Sequence, residues 1–442
     1  MQTQSSVLET EQVRMTQKNI ALLGFGTVGV GVYKLLKQFP DIAIKHILVK
    51  NPDKVRGESP PIPFESTQDL NRVVTDPNID IVVEVMGGET DAYEAMKTAL
   101  LHKKHVVTAN KAVIAKHGPE LFALANQSGV NLLFEAAVAG GIPVILPLRL
   151  SLRANQILAM AGILNGTCNY ILTQMEQKGL AFDDALKAAQ DLGFAEADPS
   201  ADIHGHDAAA KISILAGIAH NQYFSMDTLY REGIDKITAM DIAMAKELGY
   251  TIRLIGLANV IEGNDKVKDV RVHPMLLPNT HPLANIYNEN NALWLRGHAV
   301  GDLMFYGKGA GELPTASAVT GDILLIAKTL MQGGEVNDAL RFDMQTAGEI
   351  LPIGETTNAY YIRVETTDAP GVIGNLGTAC GRHNVSIKAA VQKPVENTEA
   401  SATIVLLTHS VKEAQLQAAL DEIREQPTTK TICSVIRVLE SL

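Results

Sequence analysis

The chain is poor in cysteine and has no long apolar run. Its three cysteines, Cys168, Cys380 and Cys433, lie far apart and form no CxxC pair. This spacing gives no disulfide framework and no cysteine metal motif, and it is typical of a reducing compartment. No apolar run reaches the roughly 18–20 residues that are needed to cross a bilayer. We therefore expect a cytoplasmic protein that does not use a membrane as its partner.

The chain also lacks an excess of positive charge. It has 38 Lys and Arg residues against 49 Asp and Glu, which gives a formal net charge of −11. Nucleic acid would be repelled overall, so it is not expected as the main partner. The length, 442 residues, is sufficient for two or three domains. Residues 1–17 are polar and lack the apolar core of a signal peptide, so we expect a flexible tail there.

Residues 18 to about 150 predict a dinucleotide-binding, Rossmann-like domain. The apolar stretch NIALL runs into a Gly24-x-Gly26-x-x-Gly29 turn, and an amphipathic helix follows. Such glycines permit a tight turn and let the backbone approach a pyrophosphate at the helix N-terminus. Strands and helices then alternate, which indicates βαβ units and a parallel sheet. Because the motif alone is weakly specific, a Gly-rich turn without a nucleotide is the alternative.

The end of the second predicted strand favours NADP(H) over NAD(H). Enzymes that use NAD usually place Asp or Glu about 20 residues after the glycines, to bind the ribose 2′-hydroxyl. Lys50 occupies this position and Arg56 follows, and a cation suits the 2′-phosphate of NADP. Because Asp53 is nearby, NAD(H) stays possible as the cofactor. Alternatively, Lys50 is a solvent-exposed residue at the end of a strand with no role in cofactor binding.

The rest of the chain predicts two further units. Residues 151–350 mix helical stretches with apolar extended runs, which indicates a central α/β domain, and residues 351–358 predict a linker. Residues 357–442 alternate in the order βαββαβ, which predicts a ferredoxin-like fold.

Two lysines are candidates for chemistry on a carbonyl oxygen, which needs a positive charge and a proton when hydride reaches the carbon. Lys111 follows a buried strand and should lie at the carboxyl edge of the sheet. Lys211 is spaced i, i+4 from Asp207 in an acidic cluster, so the two share a helix face. The alternatives are a surface lysine at a helix start and an exposed ion pair worth a few tenths of a kcal/mol.

Five motifs together resemble the homoserine dehydrogenase family over about residues 18–340. They are GFGTVG, TANK, GILNGTCNYIL, the acidic cluster GFAEADPSADIHGHDAAAK, and YGKGAGELPTASAVTGD. The C-terminal TDAPGVIGNLGTACGRHNVSI resembles an ACT domain, a module that binds amino acids. The resemblance implies a central domain for substrate binding and dimerisation, a return of the chain to the nucleotide domain near 306–340, and a homodimer or homotetramer.

The resemblance also implies NAD(P)-dependent interconversion of L-aspartate 4-semialdehyde and L-homoserine. By position, Lys211 matches the proton donor and Lys111 a second active-site lysine that also adjoins the cofactor. Matches to substrate-binding positions are Glu196, Asp207 and Thr167, together with Lys211. Matches to cofactor-binding positions are Phe25, Thr27, Val28 and Gly311.

Two further sites follow from the resemblance, the second also because the DAPG turn before a helix can present backbone N–H groups to a ligand carboxylate. A monovalent cation, Na⁺ or K⁺, would be held mainly by main-chain oxygens of Glu135, Val138, Gly140 and Ile142; an ordinary Gly-rich turn is the alternative. In the ACT domain the predicted effector is L-threonine, and an inert dimerisation domain is the alternative. The effector positions are Asp368, Gly371, Val372 and Asn384.

Two competing functions stay open on the sequence. A phosphorylating semialdehyde dehydrogenase needs a nucleophilic cysteine, for which Cys168 is the candidate near the site. A non-catalytic amino-acid sensor on a dehydrogenase scaffold is the other. Both lysines and the acidic cluster are present, which argues against the sensor.

Overall fold

The structure is a computed structural model that describes residues 17–51, 66–67, 69–261, 263–394 and 401–440. The predicted N-terminal tail therefore falls, apart from Gln17, outside the described residues. Within the described ranges, no helix combines the length and the apolar character of a membrane span.

A parallel sheet forms the N-terminal part of the chain. Its strands are β1 (Lys18–Leu23), β2 (Ile42–Leu48), β3 (Ser66–Thr67), β4 (Ile81–Glu84), β5 (His105–Thr108) and β6 (Leu132–Leu133). They pair in the order β3-β2-β1-β4-β5-β6, and each pair is parallel. Every residue of β4 and β5 is buried, as expected for parallel strands that are covered on both faces. The predicted parallel α/β sheet is confirmed, and its switch point lies between β1 and β4.

The helices that follow these strands begin at the carboxyl edge of the sheet. They are α1 (Thr27–Leu36), α2 (Leu70–Thr75), α3 (Thr90–Leu101) and α4 (Lys111–Ser128). A 3₁₀ turn at Glu135–Ala137 and a π-helical turn at Pro147–Ser151 lead into the middle of the chain.

The middle of the chain contributes half of a long mixed sheet. Its strands are β7 (Ile157–Ile163), β8 (Tyr230–Arg231), β9 (Tyr250–Ile261), β10 (Asn264–Pro278), β11 (Asn290–Gly297), β12 (Gly301–Lys308) and β13 (Glu349–Ile350). Its helices are α5 (Gly166–Lys178), α6 (Phe182–Asp191), α7 (Ser200–Ile203), α8 (His206–His220), α9 (Ala239–Glu247) and α10 (Glu312–Met331). Helix α10 packs closely on α1, because a Cβ at Gly31 would lie 2.7 Å from the Cβ of Ala316.

The C-terminal part has the predicted βαββαβ order. Its elements are β14 (Thr357–Thr367), α11 (Val372–Arg382), β15 (Ile387–Pro394), β16 (Ser401–Thr408), the short β17 (Val411–Lys412), α12 (Glu413–Arg424) and β18 (Thr429–Val438). The large sheet runs β12-β11-β7-β9-β10-β18-β14-β16-β15, so the C-terminal strands extend the central ones. Parallel pairing of Met275 with Arg437 and of Leu276 with Val438 joins the two halves.

Buried polar contacts fasten the C-terminal part to the central part. The guanidinium of Arg363 on β14 donates to both carboxylate oxygens of Asp241 on α9, at 2.7 and 3.0 Å. Arg271 on β10 donates to Asn358 at 2.9 Å. Both Thr356 and Asn358 are buried. Part of the predicted linker at 351–358 is therefore packed and forms the start of β14. Its amide and hydroxyl side chains accept hydrogen bonds from the buried guanidinium of Arg271.

Candidate active site

The turn between β1 and α1 needs two of its three glycines for steric reasons. Gly24 has φ +102°, and a Cβ there would lie 2.6 Å from the carbonyl oxygen of Val85. A Cβ at Gly29 would lie 2.3 Å from the carbonyl oxygen of Gly24. A Cβ at Gly26 would meet nothing within 4 Å, so this glycine faces open space at the N-terminus of α1. Backbone N–H groups at such a position favour a phosphate.

A cavity of about 880 Å³ opens beside this turn, at the carboxyl ends of β1, β2 and β4. We call it the glycine-loop cavity; its lining is Gly24, Phe25, Gly26, Leu48, Val49, Lys50, Asn51, Leu70, Val85, Met86 and Asp91. It lies at the switch point of the sheet, where open α/β folds bind ligands. Thr27 and Val28 form the first turn of α1 next to it. The residues around the glycine-loop cavity are therefore suited to binding a dinucleotide.

Lys50 stands at the rim of the glycine-loop cavity, beyond the end of β2. Its Nζ lies 3.3 Å from Oδ2 of Asp91, in the first turn of α3, and the lysine side chain is 90% exposed. Arg56 and Asp53, the other residues predicted to influence the choice of cofactor, lie outside the described residues. Gly311, with φ +120°, precedes α10 and does not line this cavity.

The two candidate lysines meet at one carboxylate. Oδ1 of Asp207 lies 3.0 Å from Nζ of Lys111, and Oδ2 lies 2.7 Å from Nζ of Lys211. Lys211 also donates to the carbonyl oxygen of Leu164 at 2.7 Å. The side chains of Asp207 and Lys211 are nearly buried, whereas that of Lys111 is 42% exposed.

Local structure explains how these groups are positioned. Asn110 caps α4 by accepting from the N–H of Val113, which places Lys111 at the first helical position. A lysine there opposes the helix dipole, so its charge needs compensation from elsewhere, which Asp207 supplies. Asp207 itself lies in the first turn of α8, where a carboxylate is favoured.

The charges at this cluster shift two pKa values. Burial alone would raise the pKa of Asp207, but the ammonium groups of Lys211 and Lys111 outweigh it and hold the pKa below its usual range. The negative charge of Asp207 raises the pKa of Lys111. The Asp207 carboxylate and the Lys111 ammonium group thus each favour the charged form of the other.

Sequence reasoning missed Asn165 as part of this cluster. Asn165 caps α5 by accepting from the N–H of Cys168, and its amide donates to Asp202 at 2.6 Å and to Asp207 at 2.9 Å. Burial, followed by the charge of Asp207, raises the pKa of Asp202. An Asn before a helix is readable as a cap, but its amide contacts depend on the packing of α5 against α7 and α8.

A cavity of about 490 Å³ lies in front of Asp207, and we call it the lysine cavity. The lining includes Lys111, Glu196, Asp202, His206 and Asp207, together with Tyr223, Ser225, Met226 and Asp227. Glu196, predicted to bind substrate, therefore lines the same cavity as Asp207. Lys211 contacts Asp207 and its side chain is 11% exposed, but it is not among the lining residues.

Thr167 and Cys168 occupy the first turn of α5. The hydroxyl of Thr167 donates to the carbonyl oxygen of Phe194 at 2.7 Å, and the residue is buried. The Cys168 thiol is fully buried and donates to the carbonyl oxygen of Asp202, and burial raises its pKa well above the usual range. A thiol in this setting is a poor nucleophile.

The predicted cation positions form a tight turn beside two buried acids. Ala139 and Gly140 have φ +57° and +54°. The carboxylate of Glu135 accepts from the N–H groups of Val144, Ile145 and Leu146, so this side chain caps the following turn. The backbone N–H of Glu135 donates to buried Asp322 at 2.9 Å. In the described part of the chain, no three His, Cys, Asp or Glu side chains form a metal cluster.

The four predicted effector residues do not come together within one chain. Gly371, with φ +91°, precedes α11, and Val372 begins it. The carboxylate of Asp368 accepts from Gln392 at 3.1 Å. Asn384 follows the other end of α11, with φ +59°. An eleven-residue helix spans about 16 Å, so Asn384 is far from the other three.

Comparisons with known proteins agree with this geometry. Residues 24–135 match the family model for the homoserine dehydrogenase NAD binding domain, residues 143–324 that for homoserine dehydrogenase, and residues 360–428 the ACT domain. A homoserine dehydrogenase of a Synechocystis species is 45% identical over 96% of this chain and 100% of its own length.

Solved structures give the same result. The crystal structure of a Thiobacillus denitrificans homoserine dehydrogenase matches with a TM-score of 0.87 and 40% identity, over 96% of this chain and 98% of that one. A hyperthermophilic archaeal homoserine dehydrogenase in complex with NADPH matches with a TM-score of 0.60 and 26% identity, over 71% of this chain and 98% of that one. The chain therefore belongs to the homoserine dehydrogenase family and carries a C-terminal ACT domain.

Proposed function

We propose that this chain catalyses the reversible, NAD(P)-dependent interconversion of L-aspartate 4-semialdehyde and L-homoserine, in threonine, methionine and isoleucine biosynthesis. The observation that carries the proposal is the convergence of Lys111 and Lys211 on Asp207 beside the lysine cavity. The substrate carries an ammonium group, which suits Glu196 and Asp207, and a carboxylate, which suits a lysine. Thr167, in the first turn of α5, is proposed to contact the same substrate.

Lys211 is the proton donor in this proposal. An ammonium group has three N–H donors, and Leu164 and Asp207 accept two of them, which leaves the third for the substrate oxygen. When bound, the reduced cofactor supplies hydride to the aldehyde carbon. As the carbonyl π bond breaks, the oxygen takes the negative charge, which Lys211 stabilises and then neutralises by transferring its proton.

The cofactor we propose is NADP(H), with NAD(H) as a weaker alternative. Lys50 at the rim of the glycine-loop cavity supplies positive charge where a 2′-phosphate would lie. The archaeal relative that binds NADPH supports the same choice.

The direct test is the initial rate of NADPH and NADH oxidation with L-aspartate 4-semialdehyde. Turnover that is faster with NADPH is expected, together with a loss of roughly 10²–10⁴-fold in Lys211→Ala. Lys187→Ala, which removes an exposed lysine of α6, is the matched control and should keep the rate. No turnover with either cofactor would refute the proposal and favour the amino-acid sensor.

We also propose a monovalent cation site on the main-chain oxygens of Glu135, Val138, Gly140 and Ile142. The left-handed turn at residues 139 and 140 and the neighbouring buried Asp322 support it, because the turn offers main-chain carbonyl oxygens and Asp322 adds carboxyl oxygens beside them. NaCl or KCl should raise the melting temperature more than tetramethylammonium chloride at equal ionic strength. Equal melting temperatures in the three salts would contradict this site.

The ACT domain is proposed to bind L-threonine as a feedback inhibitor. Since Asp368, Gly371 and Val372 lie at one end of α11 and Asn384 at the other, a second copy would have to complete the pocket, which suits a homodimer or homotetramer. Calorimetry on the whole chain should detect L-threonine but not D-threonine, and Asn384→Ala should weaken the heat signal. Absence of both binding and inhibition would refute L-threonine as the effector.

The three free thiols support a cytoplasmic location.

A further inference from the structure

A cavity of about 640 Å³ separates the C-terminal part of the chain from the central part. We call it the interface cavity. On the C-terminal side it is lined by Gln417, Leu420 and Arg424 of α12 and by residues 432–436 of β18. On the central side it is lined by His204, His206, residues 231–233, residues 235–237 and Pro274. It shares only His206 with the lysine cavity.

Four cationic or protonatable side chains line the interface cavity, and one of them, His204, lies near enough to Asp198 for their charges to interact. Among the described residues, no hydrogen bond or ion pair involves the side chains of Arg231, Lys236, His204 or His206. Arg424 differs, because it is paired with Asp421 on its own helix. The four residues come from two segments of the chain, 204–206 and 231–236, so their convergence is a property of the tertiary fold.

The acids of the lining do not balance this charge. Glu232 is committed to Arg437, whose Nη1 lies 2.7 Å from its Oε2. Asp235 is the other acid among the lining residues, against the cations Arg231 and Lys236. The site also disfavours a further positive charge: burial, and then the charges of Arg231 and His204, lower the pKa of His206. Like charges held together in this way are relieved by an anion.

We propose that the interface cavity is a binding site for a small anion with a carboxylate or phosphate group, held by Arg231, His204 and His206. Guanidinium binds both groups in a bidentate manner, and an imidazole N–H adds a further hydrogen-bond donor. Lys236 contributes charge from the rim. The site differs from the proposed threonine site, which lies at α11, and it does not depend on the proposed reaction.

The position of His206 gives the site a route to the active site. His206 lines both cavities and directly precedes Asp207, the carboxylate that holds both lysines. An anion bound beside His206 therefore changes the charge at the start of α8, one residue from the catalytic cluster. The site is suited to a regulatory ligand.

The test is NMR of the whole chain with ¹³C-labelled histidine, titrated separately with inorganic phosphate and with acetate. Saturating NADP⁺ is present throughout, so that the glycine-loop cavity is blocked. The His204 and His206 signals are assigned by their loss in His204→Gln and His206→Gln. We expect the His204 signal to shift in a saturable manner. The probe that binds with the higher affinity, phosphate or acetate, identifies the class of anion.

Charge variants decide whether the cavity causes the shift. Arg231→Gln and Lys236→Gln, the second at an exposed residue, should each lower the affinity for the anion roughly tenfold or more. Arg153→Gln, which removes an exposed arginine outside this cavity, should leave the affinity unchanged. A His204 signal that moves with neither probe, or affinities that are equal in the variants of Arg231, Lys236 and Arg153, would overturn the proposal.

Discussion

Lys111 begins the helix after β5 of the nucleotide-binding sheet, Asp207 lies in the first turn of α8, and their Nζ and Oδ1 atoms are 3.0 Å apart. The second oxygen of the same carboxylate holds Lys211 at 2.7 Å. One buried carboxylate thus couples a lysine at the edge of the nucleotide-binding sheet to a lysine of the central part. Its negative charge raises the pKa of Lys111, so this lysine holds its proton more firmly.

Replacing Asp207 should change how activity depends on pH. The charge of Asp207 is the largest cause of the raised pKa of Lys111, so in Asp207→Asn that pKa should fall. A lysine is protonated below its pKa, so the loss of activity at alkaline pH should begin at a lower pH in the variant. The measurement is kcat/KM against pH, with Asp191→Asn, from an exposed pair, as the control. An alkaline limb that stays in place would show that Lys111 does not set it.

Lys50 should determine the choice of cofactor. Lys50→Glu removes a charge-assisted contact to the 2′-phosphate and adds repulsion, so KM for NADPH should rise roughly 10–100-fold while KM for NADH changes little. Asp91→Asn is the matched control, because it removes the acid that pairs with Lys50 and keeps the lysine. NADPH preference should persist or increase in that variant. Parallel changes for both cofactors in Lys50→Glu would refute this role.

The ion pair between α9 and β14 should contribute strongly to stability. Asp241 is fully buried, and Asp241→Ala would leave the guanidinium of Arg363 without its partner. We expect the free energy of unfolding to fall by about 3–5 kcal/mol. Urea titrations followed by the fluorescence of Trp294, the single tryptophan, measure the change. Asp191→Asn should cost less than about 0.5 kcal/mol, and an equally small effect in Asp241→Ala would contradict the prediction.

Cys168 should be dispensable for turnover. Its thiol is buried, and burial raises its pKa, so a nucleophilic thiolate is disfavoured. In Cys168→Ser the hydroxyl can donate to the Asp202 carbonyl oxygen as the thiol does at 3.2 Å. Near-normal kcat is therefore expected, with the melting temperature recorded in parallel. Loss of turnover in a variant that melts normally would revive the phosphorylating alternative.

Local rules predicted much of the architecture. The glycine spacing after the apolar stretch at Asn19 indicated the β1 turn, since Gly24 and Gly29 leave no room for a Cβ. The i, i+4 spacing of Asp207 and Lys211 indicated a shared helix face, and their atoms are in contact. These features depend on neighbouring residues and on backbone conformations that residue types favour.

The predicted effector pocket shows where such rules end. Asp368 and Asn384 are close in sequence, yet a complete helix separates them, so proximity along the chain did not give proximity in space. Likewise the segment predicted as a linker is packed, because its polar side chains serve Arg271 on a distant strand.

The sequence by itself determined the parallel N-terminal sheet, the βαββαβ unit and the pairing of Asp207 with Lys211, because periodicity and spacing govern local structure. Only the tertiary structure brought Lys111 to Asp207, turned the amide of Asn165 toward two acids, and gathered Arg231, His204 and His206 at one cavity. Such contacts join segments whose approach depends on how whole helices and sheets pack, and no spacing rule encodes that packing.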